Sequence, residues 1–455
     1  MDELQDSTKG SFPNESSQSS KSITAGKRQY DIVLLGASGY TGKHVLKEMG
    51  PMSQKYLFTW AVAGRNKKKL QKVLDDMYND VDGYSGDKNI DIIDVDVETP
   101  ESVQLMTAST SVVINCVGPY YMYGEIVVKS CVLKGTHYVD VTAESLFMDK
   151  MVYNYNNEAE KSGSVIVNAL GLESVPADLG VEYLFQKFNG NLQTIDVYMK
   201  LYRKSCSIFR TSAILHDNTY TSALLHLATK KERLQVRKLL DESMGINTRP
   251  IPNVTKILHK QNIDGALEWC VPFPEPDQSV ITRSLHHAKM VEKRNVNCHA
   301  RCYWVMNLLI IAIFGLFVYV LLSLMVKITS MINIFTRFPR IFTLGIASQK
   351  GPDELFNEDS RMSLTIIGRG TTSGDTLINE NDASRITKVK VSANSPGYGF
   401  TSKSVVLGAV TLLKDNIPKG GVLTPASAFR KTNFLNRLVE HEAAKFELIS
   451  DTVNY

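Results

Sequence analysis

A chain of 455 residues, 43% apolar and 22% charged, has globular composition and room for more than one core, which excludes a disordered or fibrous protein. Its net charge of +4, from 51 basic and 47 acidic residues, is too small and too evenly spread to argue for nucleic acid as a partner. Six cysteines, at 116, 131, 206, 270, 298 and 302, are too few over this length for a disulfide framework, so a reducing compartment is expected.

Residues 1–28 are rich in Ser, Lys and acids and contain no apolar run, which predicts a disordered tail with neither a secretory nor a mitochondrial address. Order is expected from Tyr30. Asp31–Leu35 is a short apolar run ended by Gly36, as a buried parallel strand would be. Further strands are expected at Leu57–Val62, Ile90–Val95, Val112–Cys116, His137–Val141 and Ser164–Val167. Helices fit between them at Lys43–Met49, Glu101–Ala108, Gly124–Lys134 and Ser145–Lys161. Strands and helices alternating in this way indicate a doubly wound parallel sheet over 29–170. Beyond it, Val197–Tyr202, Leu364–Ile367 and Val389–Val391 read as strands of a second domain. Residues 230–260 read as helical and basic, and 352–386 as an exposed loop.

The first strand runs into Gly36-Ala37-Ser38-Gly39-Tyr40-Thr41-Gly42 and then a helix. In such a turn the first glycine allows the bend, the second lets backbone N–H groups approach a pyrophosphate, and the third lets helix and strand pack closely. All seven residues are therefore candidates for cofactor binding. After the second strand, where an NAD-preferring fold usually carries an acid, the chain reads Ala63-Gly64-Arg65-Asn66-Lys67. Arg65 suits a 2′-phosphate, so NADP is expected ahead of NAD. Asp96, ending the third strand, is a candidate for the adenine side, with turn capping an equal alternative. Gly118, after the fourth strand, is a candidate for the nicotinamide ribose, whereas Cys116 reads as a small buried hydrophobe.

The stretches Val33–Gly42 (VLLGASGYTG), Val113–Tyr120 (VINCVGPY), Gly135–Glu144 (GTHYVDVTAE), Gly171–Gly180 (GLESVPADLG), Ser363–Gly370 (SLTIIGRG) and Gly420–Phe429 (GGVLTPASAF) resemble the saccharopine dehydrogenase-like oxidoreductases. That group is itself similar to trans-acting enoyl reductases. The resemblance covers nearly everything after residue 29 and implies an NADP-dependent oxidoreductase. The chain departs from the family pattern at Ala143-Glu144, Leu172-Glu173 and Asn218-Thr219, all on the presumed substrate side.

Tyr183 and Lys187 have the Tyr-x-x-x-Lys spacing that lowers a phenol pKa in short-chain dehydrogenases, but a structural pair on an amphipathic helix is the stronger reading. Catalytic residues are therefore left unassigned. His286, His287, Cys298, His299 and Cys302 lack a second matched pair and read as juxtamembrane residues, with Cys302 a conceivable acylation site and no metal expected.

Val305–Val326 is a charge-free run of 22 residues, long enough for a spanning helix, with a dry buried helix as the alternative. Basic residues flank both ends, and the family resemblance resumes beyond it. These features favour a monotopic or hairpin insertion with both folded halves in the cytosol. Residues 327–346 would form the return limb or an interfacial helix.

The expected architecture is thus α/β, with an N-terminal Rossmann doubly wound parallel sheet and a second α+β domain. That second domain comprises 171–304 and 347–455, interrupted by the hydrophobic membrane segment 305–326 and the apolar segment 327–346. The expected activity is hydride transfer to or from a hydrophobic, lipid-like substrate. A lipid droplet or organelle membrane, mitochondrial ones included, is the expected location, and homo-oligomers are compatible with the sequence. The alternative is a non-catalytic NADP-binding scaffold on a membrane or lipid-droplet surface.

Overall fold

The computed structural model describes residues 28–80, 89–204, 213–245, 256–273, 276–343, 345–372 and 382–453. The expected N-terminal tail lies outside them, apart from Arg28. Six strands come first: β1 (Tyr30–Leu35), β2 (Trp60–Gly64), β3 (Asp91–Asp94), β4 (Thr110–Asn115), β5 (His137–Asp140) and β6 (Val165–Val167). The rest of the chain adds β7 (Asn191–Arg203), β8 (Leu215–His216), β9 (His259–Ile263), β10 (Ala266–Pro272), β11 (His299–Met306), β12 (Ala347–Ser348), β13 (Ser360–Thr371), β14 (Arg385–Asn394), β15 (Gly421–Leu423) and β16 (Lys445–Val453).

The first sheet has the order β15-β6-β5-β4-β1-β2-β3, parallel throughout. Its apolar runs form strands because both faces are covered: Ile32 to Leu35 and Val112 to Ile114 are all fully buried. Leu34 lies beside Val62 on one side and Ile114 on the other, so the order reverses between β1 and β4. That reversal opens a crevice at the carboxyl ends of the strands. The seventh strand, β15, comes from a stretch that the sequence places in the second domain. The helix Thr401–Lys414 also returns to this sheet, packing on β4 and β5 and against the helix Tyr40–Tyr56.

The second sheet is mixed, with the order β16-β14-β13-β7-β11-β10-β9. Within it β7 and β11 run parallel, and the other neighbours are antiparallel. Two sequence expectations change here. Residues 352–386 contain the helix Glu354–Asp359 and β13, a twelve-residue strand between β7 and β14, rather than one exposed loop. Met362, Leu364 and Ile366 are buried in that strand, and cross-strand partners on both sides outweigh its polar composition. Of 230–260, only Lys230–Met244 is described as helix, and β9 begins at His259; residues 246–255 lie outside the described part.

The hydrophobic segment is also corrected. Val305 and Met306 belong to β11, where Val305 pairs with Cys270, and the helix runs only from Leu309 to Met325. Seventeen residues at a rise of about 1.5 Å give about 26 Å, short of a hydrocarbon core of about 30 Å. Among the described residues no helix is long and apolar enough to cross a membrane. Nor is this a dry helix inside the protein. Only Ala312 in it is buried, while Ile310, Phe314 and Phe317 are 73%, 61% and 61% exposed. Two short helices follow, Thr329–Arg337 and Pro339–Phe342, leaving Phe338, Ile341 and Phe342 exposed. The limb is attached through Val326 and Phe335, which pack with Tyr220 and Leu224 of the helix Asp217–Ala228.

Candidate functional site

At the crevice, β1 ends and Gly36 turns the chain at φ 89°, its N–H donating to the Ala63 carbonyl at 2.9 Å. A Cβ on Gly42 would lie 2.1 Å from the Gly36 carbonyl oxygen, so the first turn of the helix rests directly on the bend. Gly39 differs. A Cβ there meets only the Gly36 oxygen, at 3.3 Å, and one on Gly118 would make an ordinary contact with the Tyr120 ring at 3.6 Å. The fold requires Gly36 and Gly42; a close-lying ligand would require Gly39 and Gly118. Gly39 caps the helix without a side-chain bond, and the first turn carries no acid, so its positive end is free for an anion.

The side chains around the turn divide between the two domains. Ala37 is fully buried, while Ser38 and Thr41 are half-buried. Tyr40 turns its ring toward the second domain: its hydroxyl donates to the Pro352 carbonyl at 2.5 Å, and its centroid lies 4.8 Å from His216 and 4.7 Å from Tyr398. Arg65 stands exposed just past the carboxyl end of β2, with no side-chain partner among the described residues. Its neighbour Lys67 lies 3.7 Å from Asp94. Oδ1 of Asp96 accepts from the Glu98 N–H at 3.0 Å, which is the turn-capping alternative.

Sequence reasoning missed the groups that hold the crevice together. Asp140 is fully buried at the end of β5, where Oδ2 accepts from the Tyr138 hydroxyl and the Asn168 amide, and Oδ1 from the N–H groups of Thr142 and Ala169. Desolvation pushes its carboxyl up to about 6 against those four bonds. Asn115, at the end of β4, donates to the Tyr138 hydroxyl at 3.1 Å and accepts from the Val117 N–H at 2.9 Å. The carboxyl ends of β4, β5 and β6 are thereby joined through one polar network. An Asp ending an apolar strand was its only signal in the sequence. Glu144 accepts from the N–H groups of Tyr120 and Tyr121, at 3.0 and 2.7 Å, capping the helix Tyr120–Lys134. Burial, with Asp140 adding to it, pushes the Cys116 thiol up to about 12, so it is no nucleophile.

Tyr183 and Lys187 do not enter the crevice network. The ammonium of Lys187 lies 5.2 Å from the Tyr183 ring centroid, and that ring packs 5.8 Å from Phe446 on the edge strand β16. This is the geometry of a packing pair. Cys302, conceived as an acylation site, is buried in β11 and inaccessible, because it faces the core beneath the second sheet. Cys298 is half-buried, its thiol pushed up to about 12 by desolvation.

Comparison with known proteins adds a family to this geometry. Residues 32–167 match the family described as the saccharopine dehydrogenase NADP binding domain. A rat protein named saccharopine dehydrogenase-like oxidoreductase is 31% identical over 440 residues, covering 94% of this chain and 99% of the relative. A Caenorhabditis elegans protein named lipid droplet localized protein is 30% identical over 426 residues, covering 90% of this chain and 96% of its own. Among solved structures, the apo saccharopine dehydrogenase (L-Glu forming) of Saccharomyces cerevisiae matches with a TM-score of 0.54 at 13% identity, covering 92% of this chain and 100% of that one. At that identity the match speaks for the fold.

Proposed function

We infer from one premise, that this chain belongs to the saccharopine dehydrogenase-like oxidoreductases, that it moves a hydride between NADP and a lipid-like substrate at the surface of a membrane or lipid monolayer. NADP is the family's cofactor, and the residues at the crevice fit it. The helix start carries no acid, Gly39 and Gly118 lack side chains where the fold would tolerate them, and Arg65 has no partner to give up. Residues Gly36 to Gly42 would hold the pyrophosphate, and Arg65 the 2′-phosphate. When bound, the nicotinamide carries the hydride. The Asp140 network would keep the carboxyl ends of β4 to β6 in register beneath it, and Tyr120, 7% exposed, helps exclude water.

The observation that carries the lipid reading is the exposed apolar limb formed by Leu309–Met325 and the two helices after it. An apolar surface of this extent marks a membrane or protein contact in a folded chain. Arg337 and Arg340, both exposed within the limb, suit an anionic lipid face. The C. elegans relative's name supports a lipid droplet as one such surface. The limb leaves and re-enters a single sheet: β11 before it and β13 after it both pair with β7. That path supports a monotopic or hairpin insertion, with both flanks of the limb on one side of the bilayer.

The test is NADPH oxidation by the purified full chain offered fractionated lipid extracts on vesicles. Turnover with a lipid fraction, and none with water-soluble metabolites, is the expected result. Tight NADPH binding without turnover on any fraction would instead support the scaffold alternative.

A further inference from the structure

The loop after β6 carries a carboxylate for which the fold supplies no structural task. Glu173 is half-buried, yet its side chain has no hydrogen-bond or ion-pair partner among the described residues. Two other buried or half-buried acids of this chain are held by cations: Arg301 lies 2.7 Å from Asp196, and Arg294 lies 2.8 Å from Glu182. The backbone at Glu173 is nevertheless well fixed. The Leu172 N–H donates to Thr401 Oγ1 at 3.2 Å, and the Val175 N–H to the Gly171 carbonyl at 3.1 Å.

Its position is set from two directions. Glu173 follows β6 on the side of the topological reversal away from Arg65, which is the nicotinamide half of a dinucleotide crevice. Its charge also acts on the Tyr398 phenol, whose ring lies 4.7 Å from Tyr40 at the head of the glycine turn. Its charge acts as well on Asp277, 1% exposed at the start of the helix Asp277–Met290, with neither carboxyl oxygen hydrogen-bonded. Asp178 completes the group; its Oδ2 accepts from the Ala426 N–H at 2.7 Å, while its Oδ1 has no partner.

We propose that Glu173 faces the nicotinamide end of the cleft and gives or takes the proton that accompanies hydride transfer, a role that rests on the oxidoreductase reading above. In the reducing direction the Glu173 O–H bond breaks, and its proton bonds to one atom of the substrate double bond. The hydride and its electron pair, leaving NADPH, form the C–H bond at the other atom. NADP⁺ and a carboxylate remain, and solvent water returns the proton. Desolvation pushes the Glu173 carboxyl up to about 7, the range in which a group can both donate and accept. Asp277 is pushed well above the usual carboxylate range by its own burial and by the charges of Glu173 and Asp178. Two other groups near the cleft are unsuited: Cys116 is pushed up to about 12, and the Tyr120 hydroxyl donates to the Asn115 carbonyl.

A binding experiment tests this without a substrate. The oxidised nicotinamide ring is positively charged and the reduced ring is neutral, so NADP⁺ lowers the pKa of a facing carboxyl and NADPH does not. Titration calorimetry of the full chain at pH 7, in buffers of differing ionisation enthalpy, should show more proton release with NADP⁺. A lowering by one unit would give an excess of about 0.4 proton per chain. Glu173→Gln should abolish the excess while both nucleotides still bind, and Glu173→Asp should keep part of it. Equal proton release for the two nucleotides in the wild type, or an excess that survives Glu173→Gln, would overturn the proposal. Once a lipid fraction is turned over, Glu173→Gln should lower kcat by about 10²- to 10⁴-fold with KM for NADPH unchanged. Failure of every lipid fraction alongside a Glu173-dependent excess would refute the lipid reading and leave Glu173 facing the nicotinamide.

Discussion

The Ser222 hydroxyl donates to Oε1 of Glu144 across 2.9 Å, and this bond joins the support of the apolar limb to the Rossmann sheet. Ser222 lies on the helix whose Tyr220 and Leu224 hold Val326 and Phe335. Glu144 already caps the helix Tyr120–Lys134 through two N–H groups. Glu144→Ala should therefore cost about 2–3 kcal/mol, because it strands buried donors, whereas Ser222→Ala should cost about 1 kcal/mol. Denaturant titration would show the ranking; equal losses would mean that the cap is not the dominant role of Glu144.

Two glycines of the turn should separate fold from ligand. Gly42→Ala places a methyl 2.1 Å from a backbone carbonyl and should lower the melting temperature sharply or abolish soluble expression. Gly39→Ala, with one 3.3 Å contact, should melt within a few degrees of the wild type and still weaken NADPH by about tenfold or more. Intact NADPH affinity in Gly39→Ala would remove that glycine from the cofactor site.

Arg65→Gln should weaken NADPH by about 10- to 100-fold and leave NADH nearly unchanged, because only the former carries the 2′-phosphate. The side chain is exposed and has no partner within the fold, so stability should not change. Equal losses for the two nucleotides in calorimetric titration would move the 2′-phosphate contact elsewhere, Lys67 being the nearest alternative.

Phe314→Ser with Phe317→Ser should release the protein from vesicles in a flotation assay. Each ring is 61% exposed, and its transfer into lipid is worth on the order of 1.5–3 kcal/mol, so the pair should cost at least about 100-fold in partitioning. NADPH binding and melting temperature should be retained, since neither ring packs in the core. Unchanged flotation would sink the limb as the lipid contact.

Relative to Glu173→Gln, the wild type should lose stability as pH rises from about 5.5 to 7.5. Desolvation raises the Glu173 carboxyl to about 7, so the native state holds a proton there that the unfolded chain gives up near pH 4. That contribution is lost as pH climbs through the raised value. The raised carboxyls of Asp140 and Asp178 act in the same sense, while the histidines lowered by burial, His137 to about 4 and also His44, His259, His286, His287 and His441, act in the opposite sense. Both sets are common to the two proteins, so the difference between their melting temperatures isolates Glu173. A difference that stays constant over this window would contradict the assignment.

Much of the first domain could be read from residue order, because its physics is local. Continuous apolar runs bounded by glycine form strands buried on both faces, and the spacing of Gly36, Gly39 and Gly42 carries the turn chemistry. The place of Arg65 was legible for the same reason, as the residue after a recognisable strand. The return of β15 and Thr401–Lys414 to the first sheet could not be read, since strand pairing between residues 165 and 421 leaves no periodic trace. Nor could the length of the apolar helix: hydropathy runs through Val305 and Met306, but backbone pairing with β10 draws them into the sheet. Tyr183 matched a catalytic spacing on an amphipathic helix that favoured a structural role, and its packing against Phe446 agrees with that role. Glu173 shows the same division from the other side. An acid in a loop is unremarkable in sequence, and its raised affinity for a proton arises only when β6, the Tyr398 turn and the Asp277 helix exclude water from around it.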